Sequence, residues 1–171
     1  GEPRRDKGIE VIRALTSIRS TASRRLLVIA GKSASLRTER GGPKVDVIPD
    51  HVDRKTYVRL LGESRVILLP YEAARYSEST SGIFIEAVIA GAIPIVTKET
   101  WMASELIKFG LEQLTTNWQP KDLPRQILAA CANREIASRL AAMCRHYRLF
   151  HSVDAYAREM KHLSDRTHAD H

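Results

Sequence analysis

Short apolar runs alternate along this chain with amphipathic stretches. Residues 26–30, 45–48, 66–69 and 92–96 form four such runs, rich in β-branched side chains and bounded by Gly, Pro or charge. Runs of this length and composition predict strands buried on both faces, as in a parallel sheet. Helical periods fill the gaps. Ile9, Ile12, Leu15 and Ile18 share one face. Tyr57, Val58, Leu60 and Leu61 share another, behind a candidate N-cap at Asp53. Residues 83–90 are apolar nearly all round and predict a helix packed on the sheet. Trp101 to Phe109 predicts a further one.

After Pro120 the strands stop. Leu123, Ile127, Leu128 and Cys131 define one helical face; Ile136, Leu140, Met143 and Tyr147 a second; Val153, Tyr156, Met160 and Leu163 a third. The expected architecture is α/β: a parallel sheet flanked by helices and joined by right-handed crossovers, with helices at the C-terminal end. One domain is expected over residues 1–163, followed by a polar tail at 164–171. A helix entered near Lys7 through a glycine-containing loop should follow a strand, so a first strand is expected before Gly1.

The composition fits this picture. With 171 residues, 43% apolar and 27% charged, the chain suits one globular domain with a real core. No apolar run approaches the roughly 20 residues of a membrane span. The start lacks the apolar stretch of a secretory leader. Cys131 and Cys144 sit among apolar neighbours on predicted helices, which reads as two buried reduced thiols and fits a cytoplasmic protein. The six histidines show no metal-site spacing, so no metal is expected. The net charge of +7 favours anionic partners. It is spread along the chain without interleaved aromatics, which argues against a nucleic-acid partner.

In parallel sheets, ligands bind at the carboxyl ends of the strands. The loop at 70–82 is the most informative one there. Its end, Ser79-Thr80-Ser81-Gly82, runs straight into the apolar helix. Small residues at a helix start leave backbone N–H groups beside the positive end of the helix dipole, which suits a phosphate. The plainer reading is that the hydroxyls only cap the helix. Glu86 lies one turn further on, among apolar residues. Such a carboxylate needs partners, either a ribose diol or a buried arginine. Tyr71, Tyr76, Trp101, Met102 and His51 stand near the same end, with packing or solvation as the plainer role for each.

The stretch 64–96 resembles the donor-site core of group 1 (retaining) glycosyltransferases with the GT-B fold. Their hallmark is a pair of glutamates separated by seven residues, followed by a Gly-x-Pro strand entry. Glu78 and Glu86 have this spacing, and Gly91-Ala92-Ile93-Pro94 is similar to the entry with one residue added. The opening 1–8 resembles the family's first donor-domain loop. The likeness covers most of residues 1–115, and the final helices also suit the family. The family often carries Gly at the positions of Ser79 and Ser81, and Glu2 stands where an arginine is usual.

The resemblance implies a Rossmann-like domain, one half of a GT-B fold, that binds a nucleoside diphosphate sugar without a cofactor. Glu86 would hold the ribose. Glu78 would face the donor sugar near the reacting carbon. Ser81, Gly82 and Ile83, with Thr80, would cradle the diphosphate. Lys7 would neutralise it as it leaves, with Arg4 or Arg5 in place of the missing arginine. Val47, Ile48, Pro49 and Asp50 would border the base. The glycosyl group would pass to an acceptor hydroxyl, on a glycan or a lipid-linked molecule, with retention. The implied location is cytoplasmic, with the inner face of a membrane as a peripheral site.

The acceptor half would belong to an N-terminal domain outside this chain, so the fragment alone is expected to be inactive. The helix over 153–163 would pack on that domain, and its apolar face would otherwise favour self-association. The alternatives are a nucleotide-sugar epimerase-like protein and a non-catalytic Rossmann-like binding module.

Overall fold

A computed structural model describes residues 4–17, 25–29, 36, 43–48 and 52–150, with 25–29 as backbone only. Of the expected loop 49–52 only Val52 belongs to these residues, and the expected helix 153–163 lies outside them.

A 3-10 turn, Arg5–Lys7, leads into helix α1 (Ile9–Thr16). Strands β1 (Arg25–Ile29) and β2 (Lys44–Ile48) follow, then α2 (Arg54–Glu63) and β3 (Val66–Leu69). A short helix α3 (Ala73–Tyr76) interrupts the next loop before α4 (Gly82–Ala90), β4 (Ile93–Thr97) and α5 (Trp101–Lys108). A 3-10 turn, Glu112–Leu114, delivers β5 (Thr115–Thr116). Helices α6 (Leu123–Ala132) and α7 (Arg134–Phe150) close the described part.

All strand pairing among the described residues is parallel. Among the described residues it forms two sheets rather than the one expected: β1–β2, and β3–β4–β5 with β4 in the centre. No ladder bond joins β1 to β3 among the described residues. Pro94 sits in the central strand without losing a ladder bond. The N–H of Ile93 bonds the Arg65 carbonyl on the β3 side at 2.9 Å, so the nitrogen of Pro94 faces the other side, where β5 pairs only with Val96 and Thr97.

The three-stranded sheet separates two cores, as the two-residue repeat of a strand requires. Ile67, Leu69 and Val96 face one side, against Phe84 and Val88 of α4, Met102 and Leu106 of α5, and Ile136, Leu140, Met143 and Tyr147 of α7. Val66, Leu68 and Ile95 face the other, against Leu15 of α1, Trp118 and Leu123. Helices therefore cover both faces, and the fold is an α/β arrangement compatible with a Rossmann-like one.

Several expectations need correction. β2 is not buried on both faces: Val47 is 42% exposed in a strand that pairs only with β1 among the described residues. Val58 and Leu128 point outward instead of inward, at 53% and 55% exposure. In α6 the buried line runs through Leu123, Ile127 and Ala130, and Leu128 falls one position off it. Both cysteines are free but only half-buried. Strand β5 was not expected.

No helix among the described residues is long and apolar enough to cross a membrane.

Candidate functional site

Two loops meet at the carboxyl ends of the strands. The first contains Arg4 to Gly8. Gly8 adopts φ +74°, and a Cβ there would stand 2.1 Å from the Pro70 carbonyl oxygen. Only glycine allows so close an approach of two backbones. The second loop runs from Pro70 through α3 to Ser81.

Asp6 fastens the two together. Its backbone carbonyl accepts the Glu72 N–H at 2.9 Å. Its buried carboxylate accepts the Tyr76 hydroxyl at 3.2 Å and pairs with Arg4 at 3.1 Å and Arg75 at 3.3 Å. Arg4 also donates to the Tyr76 hydroxyl oxygen, at 3.2 Å. Lys7 reaches over the second loop, with Nζ 5.9 Å from the centre of the Tyr71 ring, a cation–π distance. The rings of Tyr71 and Tyr76 lie 4.6 Å apart between centroids. Burial, reinforced by Tyr76, raises the Tyr71 phenol above its ordinary range.

The second loop ends in the N-terminus of α4. Ser81 is buried and caps the helix, its hydroxyl accepting the Phe84 N–H at 3.4 Å. Among the described residues, the N–H groups of Gly82 and Ile83 have no acceptor. The space where a Gly82 side chain would stand is open. These free donors at the positive end of a nine-residue helix suit an anion. Thr80 is exposed beside them.

Glu78 is exposed and makes no hydrogen bond or ion pair among the described residues. Glu86 is also exposed, so the plainer alternative, a buried salt bridge with an arginine, does not hold. Its partner is neither an arginine nor, among the described residues, any other cation. It is Tyr57 on α2, whose hydroxyl donates to Glu86 Oε2. Burial, followed by the bond to Glu86, raises the Tyr57 phenol well above its ordinary range.

The other predicted residues fall as follows. Arg5 is exposed on the first loop. Ile48 is half-buried at the end of β2, beside exposed Val47; Pro49, Asp50 and His51 lie outside the described residues. Trp101 packs edge-on against Phe84, centroids 5.8 Å apart, and Met102 is fully buried, so both serve the core.

Sequence reasoning missed Asp6, Arg75 and the role of Tyr57. Asp6 carried a weak signal, an acid set between basic residues immediately before Gly8. Tyr57 had been assigned to an apolar face, and its contact lies 29 positions away. Among the described residues no group of three His, Cys, Asp or Glu side chains could hold a metal ion.

The class these features define is an α/β protein with parallel strands and two polar loops in contact beside the end of β3. No family model matches the chain, and no curated protein matches it.

Proposed function

We propose that this chain is the nucleotide-sugar-binding half of a glycosyltransferase of the GT-B type. One observation carries the reading. Lys7 and the unpaired N–H groups of α4 sit on two loops that Gly8 and Asp6 lock together. A cation and a helix N-terminus on adjoining loops suit the two phosphates of a nucleoside diphosphate. Glu86, one turn into α4, offers a carboxylate to a ribose diol. Glu78, exposed at the end of the same loop, offers a second to the donor sugar.

The strand pairing is compatible with the reading: among the described residues it is all parallel, and helices cover both faces of the three-stranded sheet.

In the proposed reaction the bond from the anomeric carbon to the diphosphate oxygen breaks. A bond from that carbon to an acceptor hydroxyl oxygen forms, and the hydroxyl proton passes to an oxygen of the departing nucleoside diphosphate. Lys7 and the α4 N-terminus stabilise the charge that grows on the diphosphate. The acceptor site belongs to the second domain of a GT-B enzyme.

Calorimetry with UDP, GDP, ADP and their sugar conjugates tests the proposal, beside the Lys7→Ala and Glu86→Ala variants. Selective binding of one nucleotide, weakened in both variants, is expected. Absence of saturable binding at millimolar concentration would overturn it.

A further inference from the structure

Glu86 is the one acidic residue on α4, and Tyr57 holds it. Each lies one turn into a helix that follows a strand: Tyr57 in α2 behind β2, Glu86 in α4 behind β3. In a parallel sheet this is the ligand end.

The backbone beneath Tyr57 is anchored. Asp53 caps α2, accepting the Thr56 N–H at 2.9 Å and the Thr56 hydroxyl at 2.6 Å. The Tyr57 N–H bonds the Asp53 carbonyl at 2.9 Å. The phenol is half-buried while the carboxylate it meets is exposed. A phenol is protonated, and so a donor, through the neutral range, and burial followed by the bond to Glu86 moves its titration further up.

A carboxylate has about four acceptor sites on its two oxygens. The phenol uses one of them, on Oε2. Oε1 and the second site of Oε2 remain for a vicinal diol, which brings two hydroxyl donors. An exposed glutamate otherwise samples several rotamers, and binding would have to order it. A carboxylate already held in one rotamer avoids that cost.

We infer that Tyr57 is a positioning residue, whose hydroxyl presets the Glu86 carboxylate for a ribose diol and so sets the preference of the site for ribonucleotides over deoxyribonucleotides. The inference rests on the nucleotide-site reading above. The ring of Tyr57 stays in place when the hydroxyl is removed, so Tyr57→Phe isolates the contact.

Calorimetry on the whole chain tests it, using the tightest binder among UDP, GDP and ADP and its 2′-deoxy analogue. Wild type is expected to favour the ribonucleotide by about 10-fold. Tyr57→Phe is expected to cut that preference to about 3-fold or less, while affinity for the deoxynucleotide stays within about 2-fold. Glu86→Gln should erode the preference similarly. An undiminished preference in Tyr57→Phe overturns the role of Tyr57. So does an equal weakening of both nucleotides with a lower melting temperature, which marks a merely structural contact. If Glu86→Gln loses the preference while Tyr57→Phe keeps it, the nucleotide reading stands and the role of Tyr57 falls. If wild type binds none of the three, both fall; if it binds them without preference for the ribose, the role of Tyr57 falls and the nucleotide reading stands.

Discussion

The Tyr76 hydroxyl donates to the Asp6 carboxylate at 3.2 Å, joining residues 70 positions apart. This bond, with the Arg4 and Arg75 ion pairs, is what holds the first loop on the second. Arg75 is 64% exposed, so its pair with Asp6 is screened and counts for little. The bond to Tyr76 and the Arg4 contact carry more. Asp6→Ala is expected to cost about 1–3 kcal/mol, seen as a lower melting temperature. It should also weaken nucleotide binding, because Lys7 loses its support. An unchanged melting temperature would show that the loops hold without Asp6.

The two glycines of the site should respond oppositely to substitution. Gly8→Ala forces an alanine to φ +74° and drives its Cβ into the Pro70 carbonyl. The expected loss exceeds about 2 kcal/mol in denaturant unfolding. Gly82→Ala places its methyl in open space. Stability should stay within about 0.5 kcal/mol of wild type. Nucleotide affinity should nevertheless fall, because the methyl occupies the approach to the free N–H groups. Equal losses of stability in the two variants would contradict this account of the loop contact.

Tyr147 predicts an alkaline weakness. Its hydroxyl donates to Glu105 at 2.8 Å. Burial, then Glu105, raises its phenol far above the ordinary value of 10.0. The unfolded chain therefore loses this proton at a lower pH than the folded one. The contribution is complete below pH 10 and is lost as pH rises from there toward the folded value. Tyr57 and Tyr71 shift in the same direction. Tyr147→Phe should cost about 1 kcal/mol at neutral pH and should flatten the fall in melting temperature above pH 10. A fall as steep as that of wild type would place the effect elsewhere.

The sequence was most legible where burial is complete. Val66 to Leu69 form a strand over the very residues expected, and β4 lies within one residue of its expected place. Ile136, Leu140, Met143 and Tyr147 are all buried, as their helical spacing requires. β5 was invisible because Thr115 and Thr116 form no apolar run. Their strand conformation comes from pairing with Val96 and Thr97. Periodicity also leaves the phase of a helix loose by a position, hence the outward turn of Val58 and Leu128. At the site, the spacing of Glu78 and Glu86 and the small residues before α4 were readable. The contacts of Asp6 with Tyr76 and of Tyr57 with Glu86 were not, because each joins segments that only the fold brings together.

The most direct test of the nucleotide site is an amide NMR titration of the chain with UDP, GDP and ADP. The account predicts that one of them moves the Gly82 and Ile83 amide signals along a saturable curve. It also predicts that Lys7→Ala shifts that curve to higher concentration. Amides that stay still up to millimolar nucleotide, or a curve that Lys7→Ala leaves unchanged, would contradict a diphosphate site at the start of α4.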